Sequence, residues 1–274
     1  MKSINLINNS EVKYKITRFP DGEPHFTFLE ELDHKEDYLV ICRITSAEDL
    51  FILLQINDIL SRHGIVWSLY IPYLMSMRMD RVMSFDRPFT LKIVCGILNS
   101  MSYDRIFIMS PHSNKIRNLL DSRYRYVEFS LGEYLISNSI LVFPDNGAAY
   151  RYHYYGDDYI LFNKERDLET GRIKNFFLSE VNIKSNSQVF TFIDDLCDGG
   201  GTFLGELEIL KEKYPNGEFN IIVCHAVNLE GLKKLCDNFD HVTISNSFKD
   251  FDYKSSNLTV VDICQKNVLK QLWS

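Results

Sequence analysis

Short runs of β-branched and aromatic residues recur along this chain, and each is followed by a stretch whose apolar residues keep helical spacing. The runs fall at residues 38–42, 65–71, 105–109, 140–143, 159–162, 189–193, 219–224 and 258–261. A strand that reaches its neighbour through a helix must lie parallel to it, because the crossover carries the chain back to the starting edge of the sheet. The alternation therefore predicts an α/β protein built on mostly parallel sheets flanked by helices. Between the first two runs, Ser46 and Asp49 have capping-box spacing, and Leu50, Leu53, Ile56 and Leu60 then fall on one helical face.

At about 100–200 residues per domain, a length of 274 residues suits two domains. No internal repeat is visible, but a second strand-helix series restarts near Ile140 after the polar run Ser137, Asn138, Ser139. The expected domains are 1–138 and 139–274, with ligands at the carboxyl ends of the strands, where loops are free to vary. A composition of 45% hydrophobic and 24% charged residues excludes disorder as the organising state. Thirty Lys and Arg against 37 Asp and Glu leave a net charge of −7, which argues against a nucleic-acid partner. An anionic ligand then needs a local cationic patch or metal ions. The six cysteines are scattered without a CxxC pair and read as core residues of a reduced compartment. The first residues lack an apolar secretory core, and no stretch approaches the roughly 18 uninterrupted apolar residues of a membrane span. A soluble, cytoplasmic protein without membrane contact is expected.

The most specific segment begins at the apolar run 189–193. Asp194, Asp195, Leu196, Cys197, Asp198, Gly199, Gly200, Gly201 and Thr202 follow, and then a helical run over 203–213. Consecutive carboxylates at a strand end project to opposite faces, so one can accept hydrogen bonds from a ribose diol while the other orients the loop or a metal-bound water. Three glycines let backbone N–H groups approach a phosphate closely, and the helix start adds its positive dipole end. No Gly-Lys-Ser or Gly-Lys-Thr follows, which excludes a Walker loop, and no GxGxxG supports a dinucleotide fold.

FIDDLCDGGGT resembles the phosphoribosyl-binding loop of the phosphoribosyltransferase fold. Five further segments, in family order, narrow the resemblance to the ribose-phosphate pyrophosphokinase family over nearly the whole chain. The resemblance implies two phosphoribosyltransferase-like domains, the first binding ATP and the second ribose phosphate through Asp194, Asp195, Asp198, Gly199, Gly200, Gly201 and Thr202. RFPDGE resembles the family's RFSDGE hairpin, which implies that Phe19 stacks on adenine while Asp21 and Glu23 hold the base or ribose side. IPYLMSMRMDR is similar to IPYYGYARQDR and implies ATP-phosphate contacts from Arg78 and Arg81, whose guanidinium forks match phosphate oxygens. SPHSNK resembles DLHAPQ and gives His112 a role toward magnesium and ATP. VFPDNGAAYR resembles VSPDHGGVTR, which makes Asp145 a magnesium ligand. ILFNKER is similar to the IDKRR segment at the base of a mobile loop, making Lys164 and Arg166 the catalytic cations. The other six histidines, His225 among them, are read as structural.

The family reaction, as implied by this resemblance, moves the β,γ-diphosphate of ATP onto the anomeric hydroxyl of ribose 5-phosphate with Mg²⁺ and releases AMP. Family positions are replaced at Met79 (Gln), Ser110 (Asp), Ala148 (Gly) and Gly199 (Thr). The loss of a hydroxyl at Gly199 leaves room beside the 5-phosphate. An acceptor extended at that phosphate, such as ADP-ribose in NAD metabolism, is therefore an alternative, and virus-encoded relatives of the family are understood to include such enzymes. A phosphoribosyltransferase using the same loop and a non-catalytic regulatory relative remain as further alternatives. RFPDGE begins after only 17 residues, so the family's first helix is expected to be missing or reduced. A homo-oligomer, dimer or hexamer, is expected from the family.

Overall fold

The computed structural model describes residues 1–129, 131–166, 173–264, 269 and 272, with the side chains of 131, 154, 166, 173 and 174 outside that set. The chain divides into two units: Met1–Glu128 together with the described residues from Cys264 onward, and Phe129–Ile263. The division falls ten residues before the expected 138/139 boundary. The reason is packing: the Phe129 and Tyr134 rings stack 6.1 Å apart, and the hydroxyl of Ser139 pairs with that of Thr191 in a strand of the second unit. The polar run Ser137–Ser139 is thus part of the second unit.

Unit 1 contains β1 (Lys2–Asn5), β2 (Tyr14–Arg18), β3 (Pro24–Phe28), β4 (Tyr38–Ile41), α1 (Ala47–Arg62), β5 (Trp67–Ile71), α2 (Thr90–Asn99), β6 (Ile106–Met109), α3 (Ile116–Leu119) and β7 (Tyr124–Val127). β1, β4, β5, β6 and β7 form one sheet in that order, every pair parallel, while β2 and β3 make a separate antiparallel hairpin. β4, β5 and β6 are buried along their whole length, which is why they read as continuous apolar runs. Ser46 and Asp49 form the expected capping box at the start of α1, and Leu50, Leu53, Ile56 and Leu60 pack with Trp67, Leu69 and Ile71 in the core. No helix lies between β1 and β2, in accord with the short spacing before RFPDGE.

Unit 2 contains β8 (Ile140–Phe143), α4 (Asn146–Tyr152), β9 (Tyr159–Arg166), β10 (Ile173–Asn182), β11 (Val189–Cys197), α5 (Gly201–Lys213), β12 (Glu218–Ala226), α6 (Leu229–Asn238), β13 (His241–Ser245) and β14 (Leu258–Val261). Their order in the sheet is β10-β9-β8-β11-β12-β13-β14, and only β9 and β10 pair antiparallel. From β8 the chain runs outward to β9 and β10, then returns to β11 and runs outward the other way. The order therefore reverses between β8 and β11, and in open α/β sheets ligands bind at the carboxyl ends beside such a reversal. Among the described residues, no helix is long and apolar enough to cross a membrane. Five of the six cysteines are buried, as expected of core residues.

The glycine loop after β11 is pressed against the first turn of α6. A Cβ added at Gly231 would lie 1.7 Å from the carbonyl oxygen of Asp198, with backbone on both sides of the clash. Gly231→Ala is expected to lower stability by about 1–3 kcal/mol, the usual cost of overpacking a fixed contact. A urea midpoint unchanged from wild type would show that the loop and helix do not meet.

Candidate active site

In unit 1 the RFPDGE hairpin forms as a tight turn between β2 and β3. Gly22 N–H donates to Phe19 O at 2.9 Å, Phe19 N–H to Glu23 O at 3.0 Å, and Asp21 Oδ1 accepts from Glu23 N–H at 3.1 Å. Gly22 takes φ +93°, which a side chain would resist. Two clamps fix the hairpin to α1: Gln55 bonds Phe26 N–H and Pro24 O, and Arg18 makes a two-point ion pair with Glu48 at 2.9 and 2.5 Å. Phe19 is left half-exposed with its ring 5.6 Å from His25, and the Asp21 and Glu23 side chains face solvent.

The segments after β5 and β6 are tied together through one carboxylate. Asp80 accepts from Ser113 Oγ at 2.7 Å and Arg81 Nε at 2.8 Å, and Lys115 Nζ donates to the Asp80 carbonyl at 3.2 Å. Partial burial pushes the Asp80 carboxyl up, but the hydrogen bonds from Arg81 and Ser113 and the charge of Lys115 outweigh it and leave it below the usual carboxylate range. Arg78, Arg81 and His112 are exposed around this knot. Ser76 and Ser110, with φ +68° and +37°, hold the two segments in the left-handed region, where strain in non-glycine residues clusters at functional sites. Lys115 is a cation of this group that the sequence reading did not single out.

In unit 2 the strand carrying the paired acids is longer than expected, so Asp194 and Asp195 lie within β11 itself. Phe190 and Phe192 belong to the core that packs under α5, and alternation puts Asp194 on that same face and Asp195 on the opposite one. Arg151, at the end of α4, reaches both: Nη2 is 3.1 Å from Asp194 Oδ1 and also bonds Asp195 Oδ1. Asp194 meets it by folding over its own peptide, where its Oδ1 accepts from Asp195 N–H at 2.8 Å. Asp195 is fully buried, whereas Asp194 keeps slight exposure, so Asp194 is the acid with access to a ligand. Burial and the neighbouring Asp195 push the Asp194 carboxyl well above its ordinary range, against the pull of Arg151.

The glycine turn follows directly. Gly200 takes φ +76° and caps α5 without any side-chain hydrogen bond, so the first N–H groups of this 13-residue helix are left for an outside acceptor. A Cβ at Gly199 or Gly201 would meet nothing within 4 Å. Asn228, which caps α6, donates to Asp198 Oδ1 at 3.3 Å and fixes the outer acid of the loop. Asp145 caps α4 through Ala148 N–H at 3.0 Å and receives the Lys164 ammonium at 3.1 Å. Burial raises its carboxyl, but Lys164, the Ala148 N–H and Arg151 prevail and hold it below the usual range. Arg166 ends β9, and its side chain lies outside the described residues, as does residue span 167–172, where a mobile loop was expected.

Sequence reasoning did not single out Arg151, although it ends the quoted VFPDNGAAYR segment. The cue was available, since a basic residue six positions after Asp145 is carried by the short helix that Asp145 caps. Nor did it single out Glu206, which is wholly buried on α5. His225, read as structural, is buried with Nδ1 2.7 Å from Ser247 Oγ.

Among the described residues no cluster of three His, Cys, Asp or Glu side chains could hold a metal by itself. Mg²⁺ commonly binds through one or two carboxylates plus waters and substrate phosphates. The ionised, half-exposed Asp145 fits that partial role, so the donor set suits a magnesium ion that arrives with a nucleotide.

Two units built on mostly parallel sheets, one ending in cationic loops and the other in a twin-acid, glycine-turn cradle, define a phosphoribosyltransferase-like fold. Over nearly its whole length the chain is similar to ribose-phosphate pyrophosphokinases. It is 27% identical over 254 residues to the ribose-phosphate pyrophosphokinase of Pyrococcus furiosus, covering 88% of this chain and 86% of that one. It is 26% identical to the ribose-phosphate pyrophosphokinase of Pyrococcus abyssi, covering 96% and 90% of the two chains. The fold matches a crystal structure of phosphoribosylpyrophosphate synthetase from Mycobacterium smegmatis with a TM-score of 0.75 at 19% identity, over 92% of this chain and 86% of that one. No family model matches the chain.

Among the described residues Arg151 bonds both buried acids, and Arg151→Met removes that shared partner. The variant is expected to lose about 3–5 kcal/mol at neutral pH, the cost of stranding buried charge. Because Asp194 keeps its proton to higher pH in the folded chain than in the unfolded one, the folded state binds more protons between those values. Stability of the variant should therefore recover as pH falls from neutral toward the ordinary carboxylate range. Chemical denaturation at several pH values checks both statements; a variant as stable as wild type at pH 7 contradicts them.

Proposed function

We propose that this protein transfers the β,γ-diphosphate of ATP to the anomeric hydroxyl of a ribose 5-phosphate group, releasing AMP. The observation that carries the reading lies within unit 2: Lys164 is held on Asp145 at 3.1 Å, in the same unit as the twin acids and the uncapped glycine turn. The sugar diol would be received by Asp194, with Asp195 and Arg151 holding that acid in place. The 5-phosphate would take the open N–H groups at Gly200, Gly201 and Thr202, and Asp198 the loop-side hydroxyl. On unit 1, Phe19, Asp21 and Glu23 would hold adenosine, and Arg78, Arg81, His112 and Lys115 the phosphates.

In the reaction the anomeric oxygen bonds to the β-phosphorus, the bond from that phosphorus to the α,β-bridging oxygen breaks, and AMP leaves with the electron pair. The hydroxyl proton passes to solvent. Phosphoryl-type transfer needs little covalent help and depends on in-line positioning and neutralisation of charge on the migrating oxygens. Mg²⁺, bound with the nucleotide and Asp145, would supply part of that neutralisation. Lys164, once released from Asp145, would supply a further part, and Arg166 is assigned with it from the family motif.

A second reading concerns the acceptor. The space beside Gly199 and Gly201 supports a sugar whose 5-phosphate carries a further group, such as ADP-ribose. The protein, incubated with ATP, Mg²⁺ and either acceptor, should form AMP with at least one of them. AMP with ribose 5-phosphate alone removes the extended acceptor, and AMP with neither removes the whole proposal. Lys164→Ala is expected to lower turnover by about 10²–10³, the usual loss of one preorganised donor. Wild-type turnover in that variant would show that the lysine has no part in the transfer.

A further inference from the structure

Glu206 has no place in the scheme above, yet it is the most anomalous side chain of unit 2. It is fully buried, and neither carboxylate oxygen has a hydrogen-bond partner among the described residues. A buried polar group without partners is costly, and a carboxyl more so, so such a residue calls for a reason beyond folding. It sits on the inward face of α5 between Phe203 and Leu210, where an apolar residue would serve the core better.

The surroundings identify what it faces. Ile160 and Phe162 of β9 join Phe203, Leu207 and Leu210 of α5 in one core cluster, and alternation along β9 puts Lys164 in the same row as Ile160 and Phe162. The neighbouring Gly205 is pressed on Phe176 of β10 so closely that an added Cβ would come within 2.3 Å of the ring. Phe176 is the register partner of Lys164 across the β9–β10 pair. The helix thus meets the hairpin at the lysine itself. The charge environment agrees: burial drives the Glu206 carboxyl well up, Lys164 pulls it back, and Asp194 and Asp145 add to the push.

We infer that Glu206 is a second seat for the Lys164 ammonium, taking the lysine when substrates claim Asp145 and holding it in the site for the transfer. Glu206 is in this sense a positioning residue, acting through Lys164 and not on substrate. Among the described residues Lys164 contacts the Asp145 carboxylate at 3.1 Å, and Glu206 on its α5 side is a buried acid with no hydrogen-bonded partner. The geometry explains why a buried interior position is kept polar: the cost is borne at rest and relieved when the lysine shifts. This inference rests on the reading of Lys164 as a group that acts on the transferring diphosphate.

Its test uses Glu206→Gln and Glu206→Ala in the full chain, each also combined with Lys164→Ala. Thermal melting without ligands should show both single variants at least as stable as wild type, because each removes an unpartnered buried carboxyl. In ATP-dependent AMP release, both should lower kcat by about tenfold or more, with KM for ATP within about twofold, the pattern of an interaction made in the transition state. In the Lys164→Ala background neither should lower kcat further, since residues acting as a unit are not additive. A wild-type kcat in the single variants overturns the inference. So does an equal fall in kcat with and without Lys164, which would mean that Glu206 acts elsewhere. A drop in melting temperature in both variants overturns it as well, because Glu206 would then hold the fold. An inactive wild-type protein, by contrast, would refute the proposed reaction, and the melting data would still report on the buried acid.

Discussion

The arrangement of unit 2 depends on one guanidinium. Two adjacent aspartates within a buried strand would repel each other and resist ionisation, and a strand end carrying them could not stay ordered in a dry interior. Arg151 removes that conflict by bonding both, and it does so from α4, the helix that Asp145 caps. The same short helix therefore fixes three acids: it is started by one and its Arg151 hydrogen-bonds the other two. Burial alone would weaken the charge on Arg151, but Asp195 and Asp194 more than offset this and keep it firmly protonated. What results is a strand end whose first acid keeps slight exposure while the second serves as its anchor.

Sheet order decides where this cluster can form. β8 and β11 are neighbours in space but are separated in sequence by the outward excursion through β9 and β10. The loops that leave their carboxyl ends turn to opposite sides, so a gap opens between them that no crossover covers. Asp145 follows β8 and the glycine turn follows β11. Lys164 enters from β9, next to β8, through the parallel pairing of Phe143 with Leu161. The candidate site residues of this unit are thus brought to one end of the sheet by topology.

Much of this was legible in the sequence, and the failures have physical causes. The runs at 140–143 and 258–261 coincide with β8 and β14, and the Ser46–Asp49 capping box fixed the start of α1. Buried parallel strands announce themselves because both faces are apolar. β11 proved longer than its apolar run because Asp194 and Asp195 continue the ladder with polar side chains that Arg151 neutralises. β7 carries no apolar period at Arg125 and Tyr126 on a sheet edge, and in β10 the exposed Asn175, Ser179 and Glu180 break the pattern. The division at 128/129 lies ahead of the expected 138/139 boundary because Ser139, at the end of the polar run, hydrogen-bonds into the second unit's sheet. For the site, glycines and paired acids stand out in one dimension. Arg151 and Glu206 do not, because what distinguishes them is which charges lie beside them in the fold.

Net charge misleads in the same way. A chain carrying −7 seems ill suited to bind a polyphosphate, yet what a ligand meets is the local field. In unit 1, Arg81 and Lys115 are held on Asp80, which Ser113 also hydrogen-bonds, and Arg78 and His112 are exposed on the same two segments. In unit 2, burial pushes Asp194 and Glu206 toward their neutral forms, which leaves Asp195 matched to Arg151 and Asp145 matched to Lys164. A site that is close to neutral at rest does not repel an anionic sugar phosphate, and it keeps its cations on partners that substrates can displace. In the proposed transfer, Lys164 is thus held in reserve by Asp145, the acid it would leave. A lysine with no such partner would be free to pair with any passing anion, and its approach to the correct one would lose the ordering that the fold provides.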